Sequence, residues 1–382
     1  MYFGSATIFD KIASYEDKGL FADLYDFIDR DPDISRDDLL TCVRAPFEKD
    51  GKLYKAITNF SVNTLVGKTE NLRDVEDSWI IASMINYANS LPDETVLLYS
   101  HTKESAMNVF ATVGRDEFID RETKECHFDS EGFIRLLEYA NSLPVTSSKL
   151  AGVAIDSNRY AKYRNNEVIL ENIELLYMND YKEQQYRFGT EDLTFIGFPS
   201  SYGRAMVMPK QSYAISSKSS PEIQASAWGV IKSMLLDMTL YEQDYSLENY
   251  HIYARGFPAT YKALDGYAKI NQNVEYIYFE DGNKSMNFYT TLDDGTEIKK
   301  MAYEMFGYSY ETAITVETRI TDEDIAFIKS YLESVTTSIQ YDAKIVSIIE
   351  EESAPYFAGQ KSAADAAKII QSRVSIYISE SK

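Results

Sequence analysis

The sequence predicts an α/β protein made of two sizeable lobes. Its 382 residues exceed one ordinary domain and suffice for two lobes that each bury a core. Short apolar runs bounded by Gly, Pro, Asn and Asp alternate with helix-length amphipathic stretches, which is typical of α/β layers with largely parallel sheets. The chain is 45% hydrophobic and 26% charged, as soluble globular proteins are. No apolar run approaches the roughly 20 residues that cross a bilayer.

The N-terminal third begins with an apolar strand end at residues 1–3. Helical spacing of apolar residues predicts a helix over residues 8–18, which Gly19 ends. Another helix is expected from about Arg36. A turn at residues 49–52 then leads into an extended run over residues 53–60.

The middle of the chain alternates helices with strands. Helices are predicted over residues 79–89 and 130–141, and each ends at a Leu-Pro pair because proline cannot continue a helix. A strand is predicted over residues 95–99. Four further strands are expected, followed by a helix over residues 221–240 with Pro221 in its first turn. Those four strands cover residues 167–170, 175–178, 193–198 and 213–216.

The C-terminal part contains a different pattern. Residues 272–300 combine strand-like runs with Asp-Gly turns, which predicts a β-hairpin or meander. We interpret it as an insertion. Three helices are then expected, and the spacing of Ser362 and Asp365 predicts a capped start for the last of them. These helices cover residues 321–335, 341–352 and 362–379.

The charge of the chain excludes one class of partner. With 38 basic and 60 acidic residues, the net charge is 38 − 60 = −22. Such a surface repels the phosphate backbone of nucleic acids, so binding to DNA or RNA is not expected. The acidity is explained by solubility and does not identify a ligand.

Cysteine and histidine usage argues against several kinds of site. Cys42 and Cys126 cannot form a disulfide scaffold or a cysteine-based zinc cluster, although whether the two pair is left open. The three histidines do not have metal-ligand spacing, so neither a metal centre nor a histidine-dependent catalytic triad is expected. They are His101, His127 and His251.

The sequence contains no nucleotide-binding loop. Gly67-Lys68-Thr69 resembles the end of a phosphate-binding loop, but Val62 stands where that loop needs a glycine. The 60 carboxylates offer no spacing that selects a glycosidase pair. We therefore expect no catalytic residues and no cofactor.

Aromatic residues are abundant, with 30 Tyr, 19 Phe and 2 Trp. Most of them serve as core or surface residues. A sugar-binding cleft nevertheless needs flat rings against pyranose C–H faces, together with amides and carboxylates that bridge hydroxyls. Loops that pair a ring with Asn, Asp or Ser occur at residues 60–63, 177–180 and 198–203.

Several segments, in the same order and spacing, resemble family 1 extracellular solute-binding proteins of ABC transporters. Residues 354–363 are similar to the glycine-containing turn that precedes the final helix of that family. Trp228 is similar to a tryptophan in the helix after the second crossing between lobes. The remaining similar segments are residues 15–24, 51–55, 60–67, 195–199 and 213–219.

The resemblance implies a type II periplasmic-binding-protein fold in which two α/β lobes close on a ligand. Lobe one is expected at residues 1–66 and 211–270, and lobe two at residues 67–210 and 301–382. Residues 271–300 form the β-hairpin insertion. Because family members have an export signal and a strand–helix–strand unit before the segment matching residues 1–3, we expect an N-terminally truncated chain whose lobe one lacks that unit.

The resemblance also implies ligand contacts at nine positions. The loop after the first strand indicates Ser5 and Thr7, and the first crossing between lobes indicates Asn59, Phe60 and Asn63. A loop of lobe two indicates Tyr177 and Asp180. Tyr202 and Tyr341 are expected to supply stacking rings.

The function that the resemblance implies is non-covalent capture of a carbohydrate, most simply an oligosaccharide. A monomer would close its hinge on the sugar and deliver it to the permease subunits of an ABC importer. The full-length form is expected outside the cytoplasm as a lipoprotein, although these residues include no export signal. Alternatives are a binding protein for a peptide or polyamine, a sensor-associated binding protein that signals instead of importing, and a carbohydrate-active enzyme.

Overall fold

The fold is given by a computed structural model. It describes residues 15–16, 18–99, 101–113, 117–120, 123–145, 159–201, 203–237, 256–279, 284–291, 295–303, 313–314, 319–338 and 342–380. Of the predicted elements, the strand end at residues 1–3 and most of the helix at residues 8–18 lie outside these ranges.

The α-helices differ widely in length, from single turns to four or more turns. In chain order they are α1 Tyr25–Ile28, α2 Thr41–Arg44, α3 Thr69–Leu72, α4 Ile81–Ser90, α5 Lys103–Ala106, α6 Glu131–Ser142, α7 Arg159–Arg164, α8 Asn179–Phe188, α9 Pro221–Leu236, α10 Tyr261–Gln272, α11 Asp322–Ser334, α12 Ala343–Phe357 and α13 Ala363–Glu380. A π-helical segment, Met107–Val113, continues α5.

One strand, β3, is far longer than the others. The strands are β1 Glu48–Lys49, β2 Lys52–Leu53, β3 Ala56–Lys68, β4 Val96–Leu98, β5 Val168–Leu175, β6 Leu193–Thr194, β7 Met206–Tyr213, β8 Phe257–Pro258, β9 Val274–Phe279, β10 Lys284–Thr291, β11 Glu297–Tyr303, β12 Ala313–Ile314 and β13 Thr337–Ser338.

The main sheet has the strand order β13-β7-β3-β5-β4, and β6 and β8 pair with further parts of β3. β4 is parallel to β5 and β13 is parallel to β7, whereas β3 is antiparallel to β5 and β7. The prediction of an α/β protein is therefore confirmed, but the expectation of a largely parallel sheet is not: among the described residues the main sheet is mixed, because every strand that pairs with the long central strand β3 is antiparallel to it.

A second sheet, of order β11-β10-β9-β12, begins in the region predicted as an insertion, residues 271–300, and extends past it to β12. β10 is antiparallel to both β9 and β11, so the predicted meander is confirmed. The first expected Asp-Gly turn, at residues 281–282, lies outside the described residues.

Some predicted elements are wrong. Residues 176–178 form a loop that leads into α8 instead of a strand, because β5 already ends at Leu175. The strand predicted over residues 193–198 is limited to two residues. In place of a helix from Arg36, the chain forms a 3₁₀ turn, Arg36–Asp38, and then the one-turn helix α2.

Helix starts agree better with prediction, because capping is a local interaction. The Ser130 hydroxyl accepts a hydrogen bond from the Phe133 N–H, 3.3 Å away, at the start of α6. Thr321 caps α11 in a reciprocal capping box. The predicted cap of the last helix is also present, since Ser362 Oγ accepts a hydrogen bond from the Asp365 N–H at 3.1 Å.

Buried apolar side chains form two clusters, one on each face of the main sheet. Val66 and Val168 belong to the first cluster, whereas their neighbours Leu65 and Ile169 belong to the second. This alternation is expected, since successive side chains of a strand point to opposite faces. The first cluster draws on residues 24–66, 163–188, 205–235, 257–268 and 320–335, and the second on residues 65–140, 169–170, 196–206 and 345–374.

The two clusters only partly follow the predicted lobes. The second cluster consists of residues expected in lobe two, with Leu65 as the exception. The first cluster, however, combines lobe-one residues with Tyr163, Phe188 and Leu332, which were expected in lobe two. The predicted lobe boundaries therefore stay a prediction.

Cys42 and Cys126 are both buried free thiols, which answers the question that the sequence left open about their pairing. Within the described ranges, none of the helices has the length and apolar character needed to span a bilayer.

Gly256 allows β8 to approach β3 closely, and a side chain there should destabilise the fold. Its φ is +99°, and an added Cβ would lie 2.3 Å from the Phe60 carbonyl oxygen. We expect Gly256→Ala to lower the free energy of unfolding by about 3 kcal/mol in urea denaturation.

Gly359→Ala is the matched control for this prediction. Its φ is also positive, at +71°, but an added Cβ would meet no atom within 4 Å. It should cost only the left-handed backbone penalty of about 1 kcal/mol. Equal losses in the two variants would contradict the proposed steric conflict.

Candidate ligand site

Two strands of the main sheet, β5 and β13, end at the same level. Leu175, the last residue of β5, pairs with Val62 of β3. Val62 pairs with Val207 of β7, and Val207 pairs with Ser338, the last residue of β13. Ligands of open α/β sheets bind outside the carboxyl ends of the strands. This row of four residues therefore marks a candidate binding edge.

Beyond this edge, β3 and β7 continue together. They stay paired as far as Ala56 and Tyr213, with irregular register around Asn59. β8 joins them there, because Phe257 pairs with Phe60. The first crossing between the lobes was predicted on β3, at Asn59, Phe60 and Asn63, so the candidate edge adjoins that predicted crossing strand.

A group of four polar residues lies at this edge, and we call it the crossing-strand cluster: Ser61, Asn63, Glu174 and Lys210. Asn63 and Glu174 are direct cross-strand partners on β3 and β5. The Ser61 hydroxyl donates to Glu174 Oε1 at 2.5 Å. Lys210 forms an ion pair with the same carboxylate.

The strand pattern explains why the cluster has one polar face. Ser61 and Asn63 alternate along β3 with Phe60 and Val62, which are buried in the first cluster. Residues two apart share a face of a strand. The core side of β3 is thus apolar at this level and its other side is polar.

Exposure differs within the crossing-strand cluster. Ser61 is fully buried, whereas the side chains of Glu174 and Lys210 are 35% and 23% exposed. Asn63 is half-buried, and its Oδ1 is a buried atom with no hydrogen-bond partner among the residues that the structure describes. A buried acceptor without a donor is uncommon and indicates a place where a bound molecule can supply one.

Of the residues predicted from the first crossing, Asn63 belongs to the cluster, while Asn59 and Phe60 are buried further along β3. Asn59 is 1% exposed and pairs with Pro258. Phe60 is 0% exposed, and its ring centroid lies 5.8 Å from that of Phe257. Phe60 thus fills the core in this structure.

Tyr177 and Asp180 lie in the loop that follows β5. Asp180 Oδ2 accepts hydrogen bonds from the backbone N–H groups of Leu176 and Tyr177, at 2.7 and 2.8 Å. The carboxylate therefore fixes the shape of this loop. Tyr177 is partly buried against the first cluster.

The structure brings Asn63, Tyr177 and Asp180 to the same edge of the sheet. The other four predicted contacts, Ser5, Thr7, Tyr202 and Tyr341, lie outside the described residues. Glu174 and Lys210 were not among the predicted contacts. A polar residue in the apolar run of β5 marked Glu174, but nothing local paired it with a lysine on another strand.

Four aromatic rings in mutual contact adjoin β3 on the face of the first cluster: Tyr181, Phe195, Phe327 and Tyr331. The ring centroids of Tyr181 and Phe327 are 4.7 Å apart. The Tyr331 hydroxyl donates to Thr64 Oγ1 at 2.7 Å, and burial raises the pKa of Tyr331. Phe327 is 37% exposed, so this group presents an aromatic surface to solvent.

The crossing-strand cluster offers little for catalysis. Its single carboxylate is Glu174, whereas glycoside hydrolysis generally needs two. Throughout the part of the chain that the structure describes, no three His, Cys, Asp or Glu residues are placed to hold a metal ion. The groups of the crossing-strand cluster are hydrogen-bond donors and acceptors.

Comparison with solved structures shows the fold. The sugar-binding protein MalE from Xanthomonas citri superposes with a TM-score of 0.53 at 13% identity, over 98% of this chain and 82% of MalE. The ABC substrate-binding protein Lmo0181 from Listeria monocytogenes, in complex with cycloalternan, gives 0.50 at 14% identity, over 97% and 83% of the two chains. The chain has the two-lobed fold of these solute-binding proteins.

This result confirms the predicted fold class. No protein-family model and no curated protein sequence matches the chain. At 13–14% identity, side chains of the ligand site cannot be transferred between proteins, so the site has to be argued from the residues of this chain.

Proposed function

We propose that this protein captures a carbohydrate between its two lobes and delivers it to an ABC importer. The crossing-strand cluster is the observation that carries the proposal. It places a hydroxyl, a carboxamide and a carboxylate at the carboxyl edge of the sheet, beside the strands that continue past it. Such groups pair with sugar hydroxyls, which both donate and accept hydrogen bonds.

The fold supports a binding mechanism without covalent chemistry. A ligand that touches both lobes only when they are closed shifts the equilibrium between open and closed forms. Ser61 and Asn63 lie on a strand that extends beyond the candidate edge, so a ligand there adjoins both parts of the molecule. MalE and Lmo0181 are also described as binding proteins.

Calorimetric titration with a panel of neutral oligosaccharides tests the proposal. We expect at least one sugar to bind with a dissociation constant in the micromolar range or tighter. A panel of peptides and polyamines serves as the comparison, since those ligands define the alternative within the same fold. Binding of these alone would replace the carbohydrate proposal.

Glu174→Gln should weaken sugar binding about tenfold to a hundredfold, because hydrogen bonds to charged groups contribute about 1.5–3 kcal/mol. The amide keeps the size of the side chain but removes the charged acceptor. Titration of the tightest-binding sugar measures the effect. Glu352→Gln is the control, since Glu352 pairs with Lys361 and Arg373 far along the chain; an equal loss there would contradict a role for Glu174.

We further propose that the protein binds its ligand without converting it. Incubation with the sugar that binds, followed by chromatography, should return the sugar unchanged. Released products would instead indicate a carbohydrate-active enzyme. Such a finding would require a second carboxylate opposite Glu174.

The remaining features of the proposed importer component are its location, partner and assembly. We propose a monomer that works outside the cytoplasm, held to the membrane by a lipid anchor in the full-length form, with permease subunits as its partner. Lobe one would comprise residues 1–66 and 211–270, and lobe two residues 67–210 and 301–382. A light-scattering mass of two chains would contradict the monomer.

A further inference from the structure

Lys210 is the basic member of the crossing-strand cluster. It lies on β7, and its ammonium group forms the ion pair with Glu174 across β3. The ammonium nitrogen also lies 3.3 Å from Met208 Sδ, so the side chain lies along its own strand. The pair brings the formal charge of the cluster to zero in a protein whose net charge is −22.

Hydrogen bonding orients the carboxylate. Glu174 Oε1 accepts from the Ser61 hydroxyl and is also the oxygen that pairs with Lys210. Among the described residues, the structure records no donor to the second oxygen, Oε2. The cross-strand neighbour Asn63 also has an acceptor, Oδ1, that receives no hydrogen bond within the described ranges. A ligand at this edge therefore meets two acceptors, a neutral amide oxygen and a carboxylate whose charge Lys210 compensates.

We infer that Lys210 is a positioning residue that makes this site selective for uncharged hydroxyl-bearing ligands over ligands that carry an amine. The inference rests on the proposed function. With Lys210 in place, an ammonium group on the ligand would face the lysine at short range, and like charges repel. A hydroxyl donates to the oriented carboxylate without that repulsion. Without Lys210, the carboxylate becomes a site for a cation.

Stability alone gives little reason for this pair. Ion pairs with both groups partly exposed contribute at most about 1 kcal/mol, and here the side chains are 23% and 35% exposed. A purely structural role therefore predicts a slight loss of stability and no change in ligand preference. A role in selectivity predicts a change in preference, and the two roles can be separated by experiment.

The test compares two probes that differ in one group. The first is the neutral oligosaccharide that binds most tightly in the panel, and the second is the same sugar with one primary amine in place of a hydroxyl. The wild-type protein should prefer the neutral sugar by about tenfold or more. Lys210→Met should weaken the neutral sugar about tenfold and strengthen the amino sugar about tenfold, which reverses the preference.

Two further variants control the experiment. Lys210→Arg keeps the positive charge, so this variant should prefer the neutral sugar as the wild type does. Lys361→Met removes a lysine of similar exposure, 22%, from its pair with Glu352 and should leave both affinities unchanged. Thermal unfolding of each variant confirms that the proteins are folded.

The outcomes distinguish the inference from the function on which it rests. If the wild type binds sugar and Lys210→Met keeps the wild-type preference, the inference is wrong and the proposed function stands. If the wild type binds both sugars but prefers the amino sugar, the inference is also wrong and the proposed function still stands. If the wild type binds no neutral sugar of the panel, both are wrong.

Discussion

Trp79→Ala should lower the free energy of unfolding of the second cluster by about 4 kcal/mol. The indole is completely buried, and its Nε1 donates to the Gly197 carbonyl oxygen at 2.9 Å. Truncation removes a large apolar surface, leaves a cavity and deprives a buried carbonyl of its donor. This indole also holds the turn at Gly197, whose N–H donates to the Leu65 carbonyl of β3.

Because each of the two clusters contains one of the two tryptophans, unfolding can be followed separately in each cluster. Trp79 lies in the second cluster and Trp228 in the first. In Trp79→Ala, the remaining tryptophan fluorescence reports the first cluster, while circular dichroism reports both. We expect the circular dichroism transition to begin at lower urea and the fluorescence transition to move less.

Trp79→Phe separates packing from hydrogen bonding. The ring still fills most of the volume, but the Gly197 carbonyl loses its donor, which should cost about 2 kcal/mol. Equal losses in the Phe and Ala variants would mean that the hydrogen bond, and not the packing, accounts for the effect. A loss below about 1 kcal/mol in Trp79→Ala would contradict the central position of this residue.

The elements that were predicted well from the sequence depend on short-range interactions. The starts of α6, α11 and α13 were predicted closely because a capping side chain and its backbone partner are three residues apart. The meander at β9–β11 was likewise marked by Asp-Gly turns. In each case the sequence contains both partners of the deciding interaction within a few residues.

The elements that were predicted incorrectly depend on tertiary context. Residues 176–178 continue the apolar run of β5, so their composition favours a strand. Asp180, however, accepts two backbone N–H groups of this segment and turns it into the start of α8. Local apolar content cannot show which run pairs with a neighbour and which turns away from the sheet.

The candidate site was only partly predictable for the same reason. Asn63, Tyr177 and Asp180 were identified through the resemblance, and the sheet places them at one edge. Glu174 and Lys210 are 36 residues apart, and they meet only because β3 lies between β5 and β7. The charge balance of the site is thus a property of strand order, which the sequence pattern does not contain.

The acid stability of the protein should depend on His101, a histidine that was not expected to bind a metal. Its ring is 6% exposed and packs against Phe110 and Tyr139. His101 Nε2 lies 3.0 Å from the Tyr139 hydroxyl, and Nδ1 is buried with no hydrogen-bond partner in the described part of the chain. Burial lowers the pKa of His101 from 6.5 to about 4, because the charged ring would lose its hydration.

The direction of the pH effect follows from proton binding in the two states. Between the unfolded pKa of 6.5 and the folded pKa of about 4, the unfolded chain binds a proton that the folded protein does not. The contribution of His101 is therefore complete above about pH 6.5 and is lost as the pH falls towards 4. The total loss is about 3 kcal/mol.

His101→Gln isolates this contribution, because glutamine keeps a polar group near Tyr139 but does not titrate. From pH 7 to pH 4, urea denaturation should show the wild type losing about 3 kcal/mol more stability than the variant. His127→Gln, which replaces an exposed histidine, should leave the wild-type pH dependence unchanged. Parallel curves for the wild type and His101→Gln would mean that the ring takes up its proton without unfolding, so that the neutral ring is not required by the packing around Phe110 and Tyr139.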